Sequence, residues 1–302
     1  MPDETTVPHT RLSAAEMARC ASELVSGGSI EMSAHRLQDV PAIADVLPVG
    51  TPVYVNHLPR NTLAETLAAL VAVRRAGLEP VPHLAARRLS SRAEATGFLR
   101  AAVERAGVAK LLLIAGDTAR PAGPYADGAS LLADGVFEEC GIRELGLPGY
   151  PEGHPKLPAP KCAAALDQKL ALARARGIGT YVLTQFSFAP HRVAEFCADV
   201  SRRAPEVPIY VGIAGPANPL NLLRYAQACG VGASFRAMQA QGMGAVRLMT
   251  HTDPDAQLAA LAHHSAGRGA SNVVGVHLYS FGGVKKTAAW MNGWIIRRDQ
   301  VK

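Results

Sequence analysis

Short apolar runs alternate with longer amphipathic ones along almost the whole chain. Residues 13–26 carry apolar positions at helical spacing, with Ser13 placed to cap the first turn and Glu16 three residues later, so the pattern predicts a leading helix. Gly27-Gly28 stops it. Strands are predicted at 29–32, 53–56, 80–84, 110–115, 144–149, 181–186, 208–213 and 273–278. The run KLLLIA at 110–115 is apolar without alternation, which marks a strand covered on both faces, as in a parallel sheet under helices. Helices are predicted at 61–76, 91–106 (capped by Ser90 or Ser91), 128–140, 163–176, 190–203, 219–229 and 285–296, with two more helical stretches within 233–268.

Eight strands, mostly each followed by a helix, specify an α/β chain of the (β/α)8 TIM-barrel class. A doubly wound sheet of six strands would leave two without a place. No linker interrupts the pattern, so residues 1–302 are expected to form a single barrel domain. It would carry an extra N-terminal helix, a helical insertion before the last strand, and a disordered tail at 1–10. In such barrels the reacting groups sit at the C-terminal ends of the strands.

Composition narrows the function classes. The chain has 302 residues, 48% of them hydrophobic and 19% charged, which suits a globular fold with a large core. Its net charge is +6, but the basic residues cluster only as pairs such as Arg87-Arg88 and Lys285-Lys286, and aromatics are 5%, so a nucleic-acid surface is not expected. A positive balance does suit an anionic cofactor or substrate. No uninterrupted apolar stretch approaches about 18 residues, so no membrane span is expected. Five widely spaced cysteines without a CxxC read as small buried residues in a reducing compartment, and a cytoplasmic location is expected. There is no phosphate loop, no GxGxxG after a strand and no GxSxG. His263-His264 are adjacent, and Glu152 with His154 lacks a third ligand, so no metal site is predicted.

The polar residues at the predicted strand ends are Glu31, Asn56, His57, His83, Asp117, Tyr150, Glu152, His154, Gln185, His277 and Tyr279. Each has an ordinary structural reading. Asp117 after Gly116 suits a turn, Gln185 a backbone-satisfied amide, His83 and His277 core imidazoles. Glu31 stands out, because a carboxyl flanked by Ile30 and Met32 is costly to bury without a purpose.

Several of these residues lie in longer motifs: AGDTARPAG at 115–123 followed by PYADGASLL, GYPEGHP at 149–155, TQFSF at 184–188, PHL at 82–84, and the Glu of SIEMS. In this order and spacing, over residues 29–283, they resemble the methylenetetrahydrofolate reductase family, whose members are (β/α)8 barrels that bind FAD at the strand ends. The resemblance implies an oxidoreductase that interconverts 5,10-methylene- and 5-methyltetrahydrofolate using NADH or NADPH, with FAD as the hydride carrier. Other expectations are direct hydride transfer without flavin, or a folate-binding methyltransferase-type barrel with no redox chemistry. A homo-oligomer is expected.

By the same resemblance Glu31 matches the general acid, Asp117 an aspartate near flavin and pterin, and Gln185 a glutamine that contacts folate and nicotinamide. His83, Gly116, Asp117, Tyr125, Ala126, Tyr150, His154, Asp167 and Arg174 match cofactor contacts, with Asn56 placed among them; Phe186 and Tyr279 join Glu31, Asp117 and Gln185 around the substrate. The sequence departs from the family pattern at Ala115, where an Arg is usual, at Leu170 and Ala173, where polar flavin contacts are usual, at Gly282-Gly283 and in HLPRN at 57–61.

Overall fold

The computed structural model describes residues 13–57, 61–240, 254–267 and 272–300. Eight strands, β1 (Ser29–Ser33), β2 (Pro52–Asn56), β3 (Glu79–Ala85), β4 (Lys110–Ile114), β5 (Glu144–Gly149), β6 (Gly179–Thr184), β7 (Ile209–Ala214) and β8 (Val273–Tyr279), form a closed barrel in sequence order. All pairings are parallel, and β1 completes the ring by pairing with both β2 and β8. The chain is thus the (β/α)8 barrel that its periodicity predicts. The tail at 1–10 and the middle of the helical insertion, 241–253, lie outside the described residues.

Local chemistry explains the helix boundaries. Ser13 with Glu16, and Thr62 with Glu65, form reciprocal capping boxes at the helices Ala14–Ser26 and Leu63–Arg75, while Ser91 caps Arg92–Ala106. Proline occupies the first turn of Ala159–Ala175, Pro190–Arg203 and Pro219–Ala228, where its missing N–H has no intrahelical role. The predicted helix 128–140 is divided into Gly128–Asp134 and Val136–Glu139, because Gly135 between them adopts φ 85°. Short helical turns at Ala34–Asp39 and Val40–Ala44 follow β1, in a stretch too short for a periodic pattern to declare itself.

The leading helix packs outside β8, beside the helices Asp255–Gly267 and Val284–Gln300. The Gly27-Gly28 pair makes that path possible: a Cβ on Gly28 would stand 2.5 Å from the carbonyl oxygen of Val276. Most of the apolar core lies between strands and helices, as the fully buried Leu111 and Leu113 of β4 illustrate. A second, smaller cluster fills the barrel itself, with Tyr54, Val81, Leu112, Tyr181 and Leu183 pointing inward. Across it the Tyr54 hydroxyl donates to the Tyr181 hydroxyl at 2.7 Å. Among the described residues no helix is long and apolar enough to cross a membrane.

The interior layer leaves no room at Gly146, where a Cβ would lie 2.6 Å from the buried Tyr181 ring. Gly146→Ala is expected to destabilise the chain by about 1–3 kcal/mol, the usual cost of overpacking. Urea unfolding of the two proteins measures it, and an unchanged midpoint would show that the interior yields freely.

Candidate active site

Alternation along β1 turns Glu31 into the barrel, where it meets residues from the ends of β2, β3 and β8. Asn56, the last residue of β2, donates from Nδ2 to Glu31 Oε1 at 3.3 Å. His83 of β3 brings Nε2 to 3.6 Å from Glu31 Oε2. Both side chains are largely out of solvent, 16% exposed for Glu31 and 9% for His83. Burial raises the Glu31 pKa to about 7, opposed only by the Asn56 hydrogen bond. Among the described residues no lysine or arginine offsets that shift. Glu31 therefore carries its proton at pH values where an exposed glutamate has lost it.

The surrounding imidazoles are neutral. Burial lowers His83 to about 3 and His57 to about 4, with His57 and Arg88 respectively adding repulsion. His277 lies deeper, fully buried, with Nδ1 2.8 Å from the Ser29 hydroxyl and its ring against Tyr54 and Tyr279. The 3.6 Å approach of His83 to Glu31 thus joins two neutral groups rather than an ion pair.

Two further groups close the mouth around Glu31. Tyr279, at the end of β8, donates its hydroxyl to the Thr184 carbonyl at 3.0 Å. Cys229, which follows the helix Pro219–Ala228, lies within electrostatic reach of Glu31 and hydrogen-bonds the Gln185 side chain, and burial pushes its thiol up to about 11. Sequence reasoning missed Cys229, because nothing in its neighbours distinguishes it from a packing cysteine. Gln185 was expected to end β6; it follows the strand, which ends at Thr184, and its own N–H bonds to the Gly149 carbonyl. Phe186 is almost fully buried and stacks among Phe188, Tyr279 and Phe281, so it backs the site rather than lining it.

Asp117 is exposed in the loop after β4, turned by Gly116 at φ 89°, and lies within electrostatic reach of Arg88. Arg87 pins that loop: its guanidinium donates to the carbonyls of Thr118, Ala119 and Ala126. Arg88 donates to the carbonyls of His57 and Asn61 in the loop after β2. Glu152, in the loop after β5, accepts from the Ser187 hydroxyl at 2.6 Å, the Phe188 N–H at 3.3 Å and the Ser234 hydroxyl at 2.7 Å. It ties two mouth loops to the helix Gly232–Ala240.

The positions matched to a flavin fall into two groups. Asn56 and His83 sit at Glu31. Several of the others have their polar atoms engaged within the chain, while Asp117 stands exposed in the loop after β4. Tyr125 donates to Asp134, the Ala126 carbonyl accepts from Arg87, and His154 Nδ1 accepts from the Lys156 N–H. Tyr150 packs its ring edge-on against His154. Asp167 pairs with Arg203, and Arg174 with Glu206 near the start of β7, at the opposite end of the barrel from the mouth. Tyr125, Asp167 and Arg174 are thus held by partners within the chain rather than free to meet a flavin. A cavity of about 660 Å³ opens beside Tyr150, between the helices Ala159–Ala175 and Pro190–Arg203 rather than over Glu31. Its rim charges Arg203 and Asp199 pair with each other. Among the described residues no group of three His, Cys, Asp or Glu side chains is placed to hold a metal ion. No protein-family model matches the chain.

The raised Glu31 pKa has a consequence for stability. The folded state binds this proton more tightly than the unfolded chain, so Glu31 favours folding below pH 4.5, and that contribution is lost as pH rises toward 7. Glu31→Gln removes the cost of ionising a buried carboxyl. Relative to the native chain it should be more stable at pH 8 by up to about 3 kcal/mol, the equivalent of the shift, with little difference at pH 4. Thermal melts across that range test it; a difference that does not vary with pH would mean Glu31 titrates normally.

Proposed function

We propose that this chain is an oxidoreductase that interconverts 5,10-methylenetetrahydrofolate and 5-methyltetrahydrofolate with NADH or NADPH. The observation that carries the reading is Glu31, a carboxyl kept protonated to about pH 7 at the barrel mouth with no cation beside it among the described residues. The motif resemblance names the substrate to which such an acid belongs. The five free thiols suit the reducing cytoplasm where that reaction would run.

The chemistry needs one proton and one hydride. Glu31 gives its proton to N10, the bond from N10 to the bridging methylene carbon breaks, and a 5-iminium cation forms. Hydride adds to that carbon to give the 5-methyl group, and the nicotinamide becomes NAD+ or NADP+. The Glu31 carboxylate recovers a proton from water. Asp117, an exposed carboxylate at the same mouth, supplies negative potential while the cation exists. Gln185 offers a donor and an acceptor to the pterin edge.

A second reading concerns the hydride's route. Tyr125, Asp167 and Arg174, three of the positions matched to a flavin, are engaged within the chain, which favours transfer directly from the dihydronicotinamide to the methylene carbon over transfer through FAD. The chain's part is then to bring the two rings together and keep water away.

Purified protein is expected to oxidise NADH or NADPH only when methylenetetrahydrofolate is present. Binding of 5-methyltetrahydrofolate with no nicotinamide turnover would favour a methyltransferase-type or storage barrel instead. Glu31→Gln should lose at least about 100-fold in folate reduction, the range of general-acid effects. Because the acid must be protonated, the reductive rate should fall as pH rises through about 7. The visible spectrum separates the routes: a colourless protein that turns over without added FAD supports direct transfer, and flavin absorption in an active protein overturns it.

A further inference from the structure

The contact between His83 and Glu31 has a direction that the hydrogen-bond chemistry fixes. An amide nitrogen only donates, so Asn56 Nδ2 marks Glu31 Oε1 as the accepting oxygen. The carboxyl proton then belongs on Oε2, the oxygen that faces His83 Nε2 at 3.6 Å. That nitrogen is buried and has no hydrogen-bond partner among the described residues, and the separation closes to a hydrogen bond with a small turn of either side chain. A neutral imidazole carries one N–H and one lone pair. An N–H at Nε2 would set two hydrogens against each other, so Nε2 bears the lone pair while Glu31 is protonated.

We propose that His83 is a positioning residue for Glu31: its Nε2 accepts the Oε2 proton and holds it in place until a substrate nitrogen takes it. When Glu31 ionises, a lone pair facing a carboxylate is repelled, and the imidazole exchanges tautomers so that Nε2–H donates to Oε2. The proton count of the imidazole stays at one throughout. This role rests on reading Glu31 as the acid, and it differs from the cofactor contact that the resemblance implies for His83.

The groups around the pair leave it to titrate alone near neutrality. From β2 come Asn56 and the Tyr54 ring, which meets His83 edge-on. From β8 come His277 and Tyr279, and Cys229 closes the remaining side. His57 stands beyond His83, with Arg88 behind it. Burial keeps the imidazoles of His57 and His277 neutral and the hydroxyl of Tyr279 and thiol of Cys229 protonated, so none changes charge while Glu31 does.

Nitrogen-15 NMR of the full chain reads the tautomer without any turnover. His83 Nε2, assigned by its loss in His83→Gln, is expected to give a lone-pair-type resonance at pH 5.5 and an N–H-type resonance at pH 8.5, these being about a unit and a half either side of the Glu31 transition. In Glu31→Gln the side-chain amide still donates to Nε2, so the lone-pair form should persist at both pH values. An N–H-type Nε2 throughout, or a switch that survives Glu31→Gln, overturns the proposal. In kinetics, His83→Leu should move the falling limb of the pH–rate profile about one unit higher, a tenfold loss of acidity, because the ionised Glu31 loses a charge-assisted N–H donor whereas the protonated form loses only a neutral acceptor. His83→Gln, whose amide can accept the acid proton or donate to the carboxylate, should restore most of it. An unmoved limb in His83→Leu would reduce His83 to packing. If His83→Leu does not fold, the spectra of the native chain and of Glu31→Gln still decide. A chain that shows the tautomer switch but no folate turnover would sink the proposed reaction and leave the pair intact; turnover without the switch would do the reverse.

Discussion

The site depends on keeping one carboxyl out of water without giving it a cation. An ionised Glu31 would be stabilised by an arginine or lysine at contact distance, and its pKa would fall below that of a free glutamate. The barrel instead surrounds it with groups that are neutral when buried: an amide, imidazoles, a phenol and a thiol. Cations do occur at the mouth. Arg87 and Arg88 are spent on backbone carbonyls of the loops after β2 and β4, which holds those loops in place while their charge stays off Glu31.

That arrangement divides the labour between interior and rim. Inside, the residues turned inward from the strands are fixed by a closed parallel ladder, so their positions are as rigid as the barrel. At the rim, side chains brace loops. Glu152 shows the contrast with Glu31: both are carboxyls at the mouth, but Glu152 accepts three hydrogen bonds, whereas Glu31 accepts one. Environment, not residue type, makes one a brace and the other an acid.

Much of this was legible in the chain. The eight strands follow from apolar runs of four to six residues, and their order from the helices between them. Boundaries shifted where a glycine or a ladder decided: β4 ends at Ile114 because Gly116 turns the chain, and β6 begins at Gly179, so Gln185 falls past the strand. Glu31 was legible because Ile30 and Met32 mark its strand as buried, which makes a carboxyl there conspicuous. Cys229 and Glu152 were not recognisable for what they do. Their roles come from contacts with residues far away in sequence, Gln185 and Ser234 among them, and no local pattern encodes such a meeting. Tyr125, Asp167 and Arg174 were expected at a ligand; the structure engages each with Asp134, Arg203 and Glu206.

A protonated carboxyl needs a partner for its hydrogen as much as an ionised one needs donors. In water that partner is solvent; in the barrel it must be built. A lysine or arginine in the place of His83 would pull the proton off. An apolar side chain would leave the O–H unsatisfied at a cost of about 1–3 kcal/mol and would leave the ionised form without a donor. A neutral imidazole avoids both outcomes, because it accepts without charge and can present an N–H once the proton has gone. Burial is what keeps His83 neutral, and the same burial keeps Glu31 protonated. One physical cause, the exclusion of water from the upper barrel, therefore sets both halves of the pair in the states that complement each other, and flooding that space would undo both at once.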